Sequence, residues 1–127
     1  MKKIVYTEKA PAPIGPYSQA VIHNDTLYAS GQIAINPVTG ELVTGTIEEE
    51  THQVMANIKA ILEEAGLTFN EVIKCSVFVS DMNNFGRINA VYSEYFKNGN
   101  PPARELVEVA NLPKFVNLEI TVIAAFD

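Results

Sequence analysis

The chain is predicted to be α+β, a six-stranded mixed sheet with two helices on one face. Three observations carry this. Apolar residues recur at helical spacing in only two stretches, one behind Thr46 and one behind Asp81. Elsewhere they alternate with polar residues, the period of a strand. The resulting order, β-β-β-α-β-α-β-β, sets each helix between strands, and right-handed crossovers then bring both helices to the same side of the sheet. No repeat or low-complexity tract divides residues 1–127, so one domain is expected.

Taken in order, Ala10 to Pro16 holds Pro11, Pro13 and Pro16 and reads as a stiff loop. Ser18 to His23 and Thr26 to Ile33 form a strand pair around Asn24-Asp25, and Asn36-Pro37-Val38-Thr39-Gly40 is a second turn. Thr46 with Glu49 is a capping box for the first helix, whose stripe is Ile47, Val54, Ile58, Ile61, Leu62 and Ala65. Gly66 stops this helix, and Leu67 is placed to fold back on Leu62. From Glu71 to Ser80 the period is two, with Ile73, Cys75, Val77 and Val79 on one face and Lys74, Ser76, Phe78 and Ser80 on the other. Asp81 is the cap of a second helix with Phe85, Ile88, Val91, Tyr92, Tyr95 and Phe96 on its buried side, ended by Asn98-Gly99. Two strands complete the fold. The last, Asn117 to Phe126, is apolar on both faces: Leu118, Ile120, Val122 and Ala124 on one, Ile123 and Ala125 on the other. A second face of this kind is expected to be covered by further copies in a closed homo-oligomer.

Composition narrows the function. Lys and Arg number 9 against 15 Asp and Glu, a formal charge of −6, and no basic run exceeds Lys2-Lys3. Nucleic acid and anionic membranes are therefore not expected partners. The single cysteine, Cys75, cannot form an internal disulfide and shares its face with Ile73, Val77 and Val79, which suits an inert core thiol in a reducing cytoplasm. The apolar run Val122 to Phe126 is too short to span a membrane. His23 and His52 have no metal-ligand spacing, and Glu48-Glu49-Glu50 suits a helix N-terminus without a ligand. No metal or cofactor is implied.

Two charged residues stand out against this background. Arg104 follows Asn98-Gly99-Asn100-Pro101-Pro102-Ala103 and leads into Leu106-Val107-Glu108-Val109-Ala110, so a guanidinium is held where a stiff turn becomes a strand. Such a group is a candidate carboxylate clamp. Glu119 is the one acid inside Leu118-Glu119-Ile120-Thr121-Val122-Ile123-Ala124-Ala125. Strand alternation puts Arg104, Leu106 and Glu108 on one face and Val107 and Val109 on the other, expected beneath the helices, so that Arg104 would face a neighbouring copy.

Gly15-Pro16-Tyr17-Ser18-Gln19-Ala20, Ser30-Gly31-Gln32-Ile33, Asn57-Ile58-Lys59-Ala60-Ile61-Leu62, Pro102-Ala103-Arg104, Val107-Glu108-Val109 and Glu119-Ile120 together resemble the Rid family, the reactive intermediate deaminases, and within it the RidA subgroup of 2-iminobutanoate/2-iminopropanoate deaminases. The resemblance implies a chorismate-mutase-like fold, a homotrimer whose sheets form a barrel, and sites between subunits. It implies that Arg104 binds the substrate carboxylate, and that Glu119 and the backbone carbonyl of Leu106 hold the attacking water. Tyr17, Ser30, Gly31 and Asn89 match pocket positions. Where RidA members commonly carry Ser-Cys, this chain has Glu105-Leu106. Leu106 would share the pocket face and alter the accepted side chain, while Glu105 points the other way.

The implied function is cofactor-free hydrolysis of short 2-imino acids to 2-keto acids and ammonia. Three rivals stand beside it: a non-catalytic sensor of small carboxylates, a protein-interaction role suggested by the acidic surface, and chorismate mutase chemistry by fold analogy. The last lacks a second arginine near Arg104.

Overall fold

The computed structural model describes residues 1–127. Its regular elements are β1 (Lys3–Val5), β2 (Ala20–His23), β3 (Thr26–Ala29), α1 (Ile47–Glu64), β4 (Val72–Val79), α2 (Phe85–Ser93), β5 (Ala103–Glu108) and β6 (Leu118–Ala125), with short 3-10 turns before β4, α2 and β6. One sheet of order β1-β2-β3-β6-β4-β5 contains all six strands. Only β4 and β5 are parallel, as the α2 crossover requires. The last strand in sequence, β6, lies in the middle, antiparallel to both β3 and β4.

Local signals explain where elements begin and end. Thr46 caps α1 by accepting from the Glu49 N–H at 3.1 Å, and its hydroxyl meets the Glu49 carboxylate at 3.3 Å, so the glutamate closes the box on the side chain instead of the backbone. Gly66 takes φ +80°, and the Leu67 N–H donates to the Leu62 carbonyl at 2.8 Å. That is the expected fold-back, with both leucines buried. Asn24 at φ +53° makes the tight β2–β3 turn.

Both helices pack on one face. Met55, Ile58, Ile61 and Leu62 of α1 and Ile88 and Tyr92 of α2 join Leu27, Cys75, Val77, Leu118, Ile120 and Val122 in one core. A smaller cluster of Ile33, Ile35, Leu112 and Val116 packs against Phe78 and Val109 on the opposite face, so loops cover one end of it. The rest stays open. Ile4, Val21, Tyr28 and Ile123 are paired neighbours across four strands and line it, with Ile4 and Tyr28 about half exposed.

Four expectations are corrected. The strand from Thr26 ends at Ala29, and beyond it only Gln32 returns to bridge Ile120. Ile73 is exposed, since the register shifts between Val72 and Lys74 and this bulge puts Val72 in the core in its place. Asp81 caps the 3-10 turn Met82–Asn84, not α2 itself. Helix α2 thus starts at Phe85 and ends at Ser93, leaving Phe85 exposed and Tyr95 and Phe96 in the turn beyond. Finally, Val107 and Val109 lie on the open face. Cys75 pairs with Arg104 and Val77 with Leu106, which puts Arg104 and Leu106 on the helix side.

Candidate active site

Glu119 lies on the open face. Its cross-strand partner in β4 is Phe78, whose neighbours Val77 and Val79 point into the helix-side core. It lines a cavity of about 310 Å³ with Tyr17, Ser30, Gly31, Gln32, Ile33 and Pro113. Burial pushes the Glu119 carboxyl above its ordinary value, and no charged group in the chain counters that shift. Gly31 leaves room for the Glu119 side chain: a Cβ on it would stand 2.8 Å from the Glu119 carboxylate carbon and displace the carboxylate from this position. Ser30 is fixed by its hydroxyl donating to the Ser18 carbonyl at 2.6 Å and its N–H to the Gln19 carbonyl at 2.9 Å. The Tyr17 hydroxyl accepts from the Ile14 N–H at 3.2 Å, which leaves its own proton free to donate.

Buried polar side chains set these walls. Gln19 accepts from the Thr7 N–H at 2.8 Å and donates to the carbonyls of Thr7, Ala10 and Pro11, clamping the proline loop. Asn57 of α1 donates to the carbonyls of Ile33 and Ile35 at 3.1 and 3.0 Å. Glu50, fully buried, accepts from the Asn117 N–H and amide at 2.8 Å each, two residues before Glu119. Sequence reasoning set Glu50 aside as one of three helix-start acids. A helical wheel could have separated it, since it lies one turn before Val54 on the apolar stripe.

Arg104 occupies a second cavity, of about 300 Å³, with Asn89, Tyr92, Ser93, Phe96, Pro101 and Pro102. One guanidinium nitrogen donates to Asn89 Oδ1 at 2.9 Å. Its ion-pair capacity is unused: the chain's salt bridges are Lys74 with Glu105 and Arg87 with Glu48. Glu105 also accepts from the Ser76 hydroxyl on the open face and so does not compete for Arg104. Leu106 lines neither cavity, for its side chain packs against the main core. The Val109 N–H donates to the Val79 carbonyl, and alternation from it turns the N–H and C=O of Leu106 toward the free edge of β5.

The expected residues therefore fall into two groups. Tyr17, Ser30, Gly31 and Glu119 share the open-face cavity; Arg104 and Asn89 share the helix-side one. No group of three or more His, Cys, Asp or Glu side chains is arranged to hold a metal ion.

The sequence pattern of the family described as Endoribonuclease L-PSP matches residues 7–126. The chain belongs to this L-PSP family. A RutC family protein of Pyrococcus horikoshii is 54% identical over 124 residues, covering 98% of each chain. The L-PSP chain is also 47% identical to a mouse protein named 2-iminobutanoate/2-iminopropanoate deaminase, over 98% of this chain and 91% of that one. Among solved structures, Escherichia coli TdcF with bound serine has a TM-score of 0.95 and 41% identity, covering 98% of the L-PSP chain and 99% of TdcF. The resemblance read from the sequence motifs is thereby borne out at family level.

Proposed function

We propose that this L-PSP protein hydrolyses small 2-imino and enamine acids to 2-keto acids and ammonia, at a site completed between two copies of the chain. The observation that carries this is the separation just described. A guanidinium with no ionic partner lies on one side of the sheet, and a carboxylate raised by burial lies on the other. Neither cavity alone has both an anion anchor and a base. A second copy that brings its Arg104 cavity against the first copy's Glu119 cavity would supply both, and the assembly we propose is a homotrimer closing over the open apolar face. The name of the mouse relative supports the same chemistry.

In this reading Arg104 grips the substrate carboxylate through two parallel charge-assisted bonds, which fixes the imine carbon in space. Glu119 takes a proton from water as its oxygen bonds to that carbon, and the C=N electrons move to the protonated imine nitrogen, which becomes a neutral amine. The carbinolamine then collapses: Glu119 gives its proton to the amine, and the C–N bond breaks with its electron pair on nitrogen as the hydroxyl oxygen forms C=O. The hydroxyl proton passes through Glu119 to the released ammonia, leaving the keto acid and a regenerated carboxylate. General-base assistance of this kind contributes on the order of 100- to 10,000-fold. The Leu106 carbonyl, on the free edge of β5, accepts a hydrogen bond from the water, and the Tyr17 hydroxyl donates toward the substrate.

The family's descriptive name points to RNA cleavage. A net charge of −6 argues against a polyanionic substrate. A carboxylate sensor without turnover would use Arg104 alone. The deciding experiment traps iminopropanoate and iminobutanoate, generated in place by a dehydratase, with semicarbazide. Wild-type protein is expected to lower the trapped fraction and Arg104→Ala to leave it unchanged; equal effects of the two proteins would overturn the reading.

A further inference from the structure

The Arg104 side chain is long and flexible and lacks an ionic partner, yet it sits in one defined bracket. The Tyr92 ring lies 4.8 Å from its guanidinium carbon and the Phe85 ring 5.8 Å, while Asn89 accepts its one hydrogen bond within the chain. Phe85, Asn89 and Tyr92 fall at i, i+4 and i+7 of α2, so one helix face presents all three. Tyr92 is itself buried and packed: it is 6% exposed and lies against Phe96 at 4.8 Å between centroids, and Phe96 stands edge-on to Phe69.

We propose that Tyr92 is a positioning residue for the carboxylate anchor, its ring face holding the Arg104 guanidinium so that the remaining N–H groups point into the cavity; this rests on the carboxylate-site reading above. An acidic partner would fix the arginine equally well, but it would neutralise the cation and compete with the substrate. A π face attracts the cation while leaving its in-plane donors free. The Tyr92 hydroxyl lies buried beside the Cys75 thiol and makes no hydrogen bond to Arg104, so it is the ring face that meets the guanidinium.

Two measurements test this. The first is binding of 2-oxobutanoate, by calorimetry, to wild type, Tyr92→Leu and Tyr92→Phe, each checked for folding by thermal melt. Tyr92→Leu is expected to weaken binding about tenfold and to raise KM for the imine with kcat little changed, and Tyr92→Phe to recover most of the loss. A folded Tyr92→Leu that binds like wild type overturns the proposal. The second needs no variant: 15N relaxation of the Arg104 Nε–H in wild-type protein is expected to show a restricted side chain, and free rotation overturns the proposal even if Tyr92→Leu does not fold. A wild type that neither binds 2-oxobutanoate nor hydrolyses imines removes the carboxylate-site reading, and the relaxation result then decides separately whether Tyr92 holds Arg104.

Discussion

Glu119 shows how one residue's surroundings set both its chemistry and its cost. Its pKa is raised by burial above the ordinary 4.5, so the folded state holds the proton more tightly than the unfolded chain does. The stability tied to this group is therefore fully present below pH 4.5 and lost as pH rises through the folded value. Glu119→Gln should melt a few degrees higher than wild type near neutral pH, with the difference vanishing in acid, while hydrolysis falls about 100-fold or more. Melts at several pH values and a rate profile check both. In wild type the acid limb of kcat/KM should lie above 4.5 and disappear in the variant. The identity of Glu119 was legible as a lone acid in an apolar strand. Its face relative to Arg104 was not, because alternation relates residues within a strand, and only the Cys75–Arg104 and Phe78–Glu119 pairings reveal that the two point to opposite sides.

At the level of elements, long periodic segments were readable and irregular joins were not. Helix α1 runs within the limits set by Thr46 and Gly66 because the Thr46 hydroxyl satisfies a free backbone donor at one end and Gly66, without a Cβ, turns the chain at positive φ at the other. The bulge at Ile73 and the 3-10 turn before α2 depend on partner strands and loops, which no local pattern encodes. The buried Glu50 belongs to this scale, since it ties α1 to the start of β6 through Asn117, whose carbonyl in turn accepts from the Ser80 N–H at 3.1 Å. Glu50→Ala leaves two Asn117 donors without their acceptor and should destabilise the fold by about 2–4 kcal/mol. Urea unfolding checks this. Glu50→Gln, which retains one acceptor, should cost less.

For the whole molecule, the proposed shared site makes a strong demand: under that reading each half comes from a different copy. Arg104→Ala and Glu119→Gln proteins, inactive alone, should regain activity when unfolded together and reassembled, since some interfaces then pair an intact Arg104 cavity with an intact Glu119 cavity. In randomly mixed trimers roughly a quarter of sites would be whole. Activity no higher than that of either variant alone would place both residues' work within one chain and refute the shared site. The sheet order has a further consequence, for folding in time. Strands β1 to β3 and strands β4 and β5 are joined in the sheet only through β6, and β6 is the last of these elements to leave the ribosome. The nascent chain thus has no central strand while most of it is already exposed to the cell, and its sheet can close only after synthesis has passed residue 125. Such long-range pairing is slow, so the interval between emergence and closure is when this protein is most open to proteases and to mispairing with its own kind.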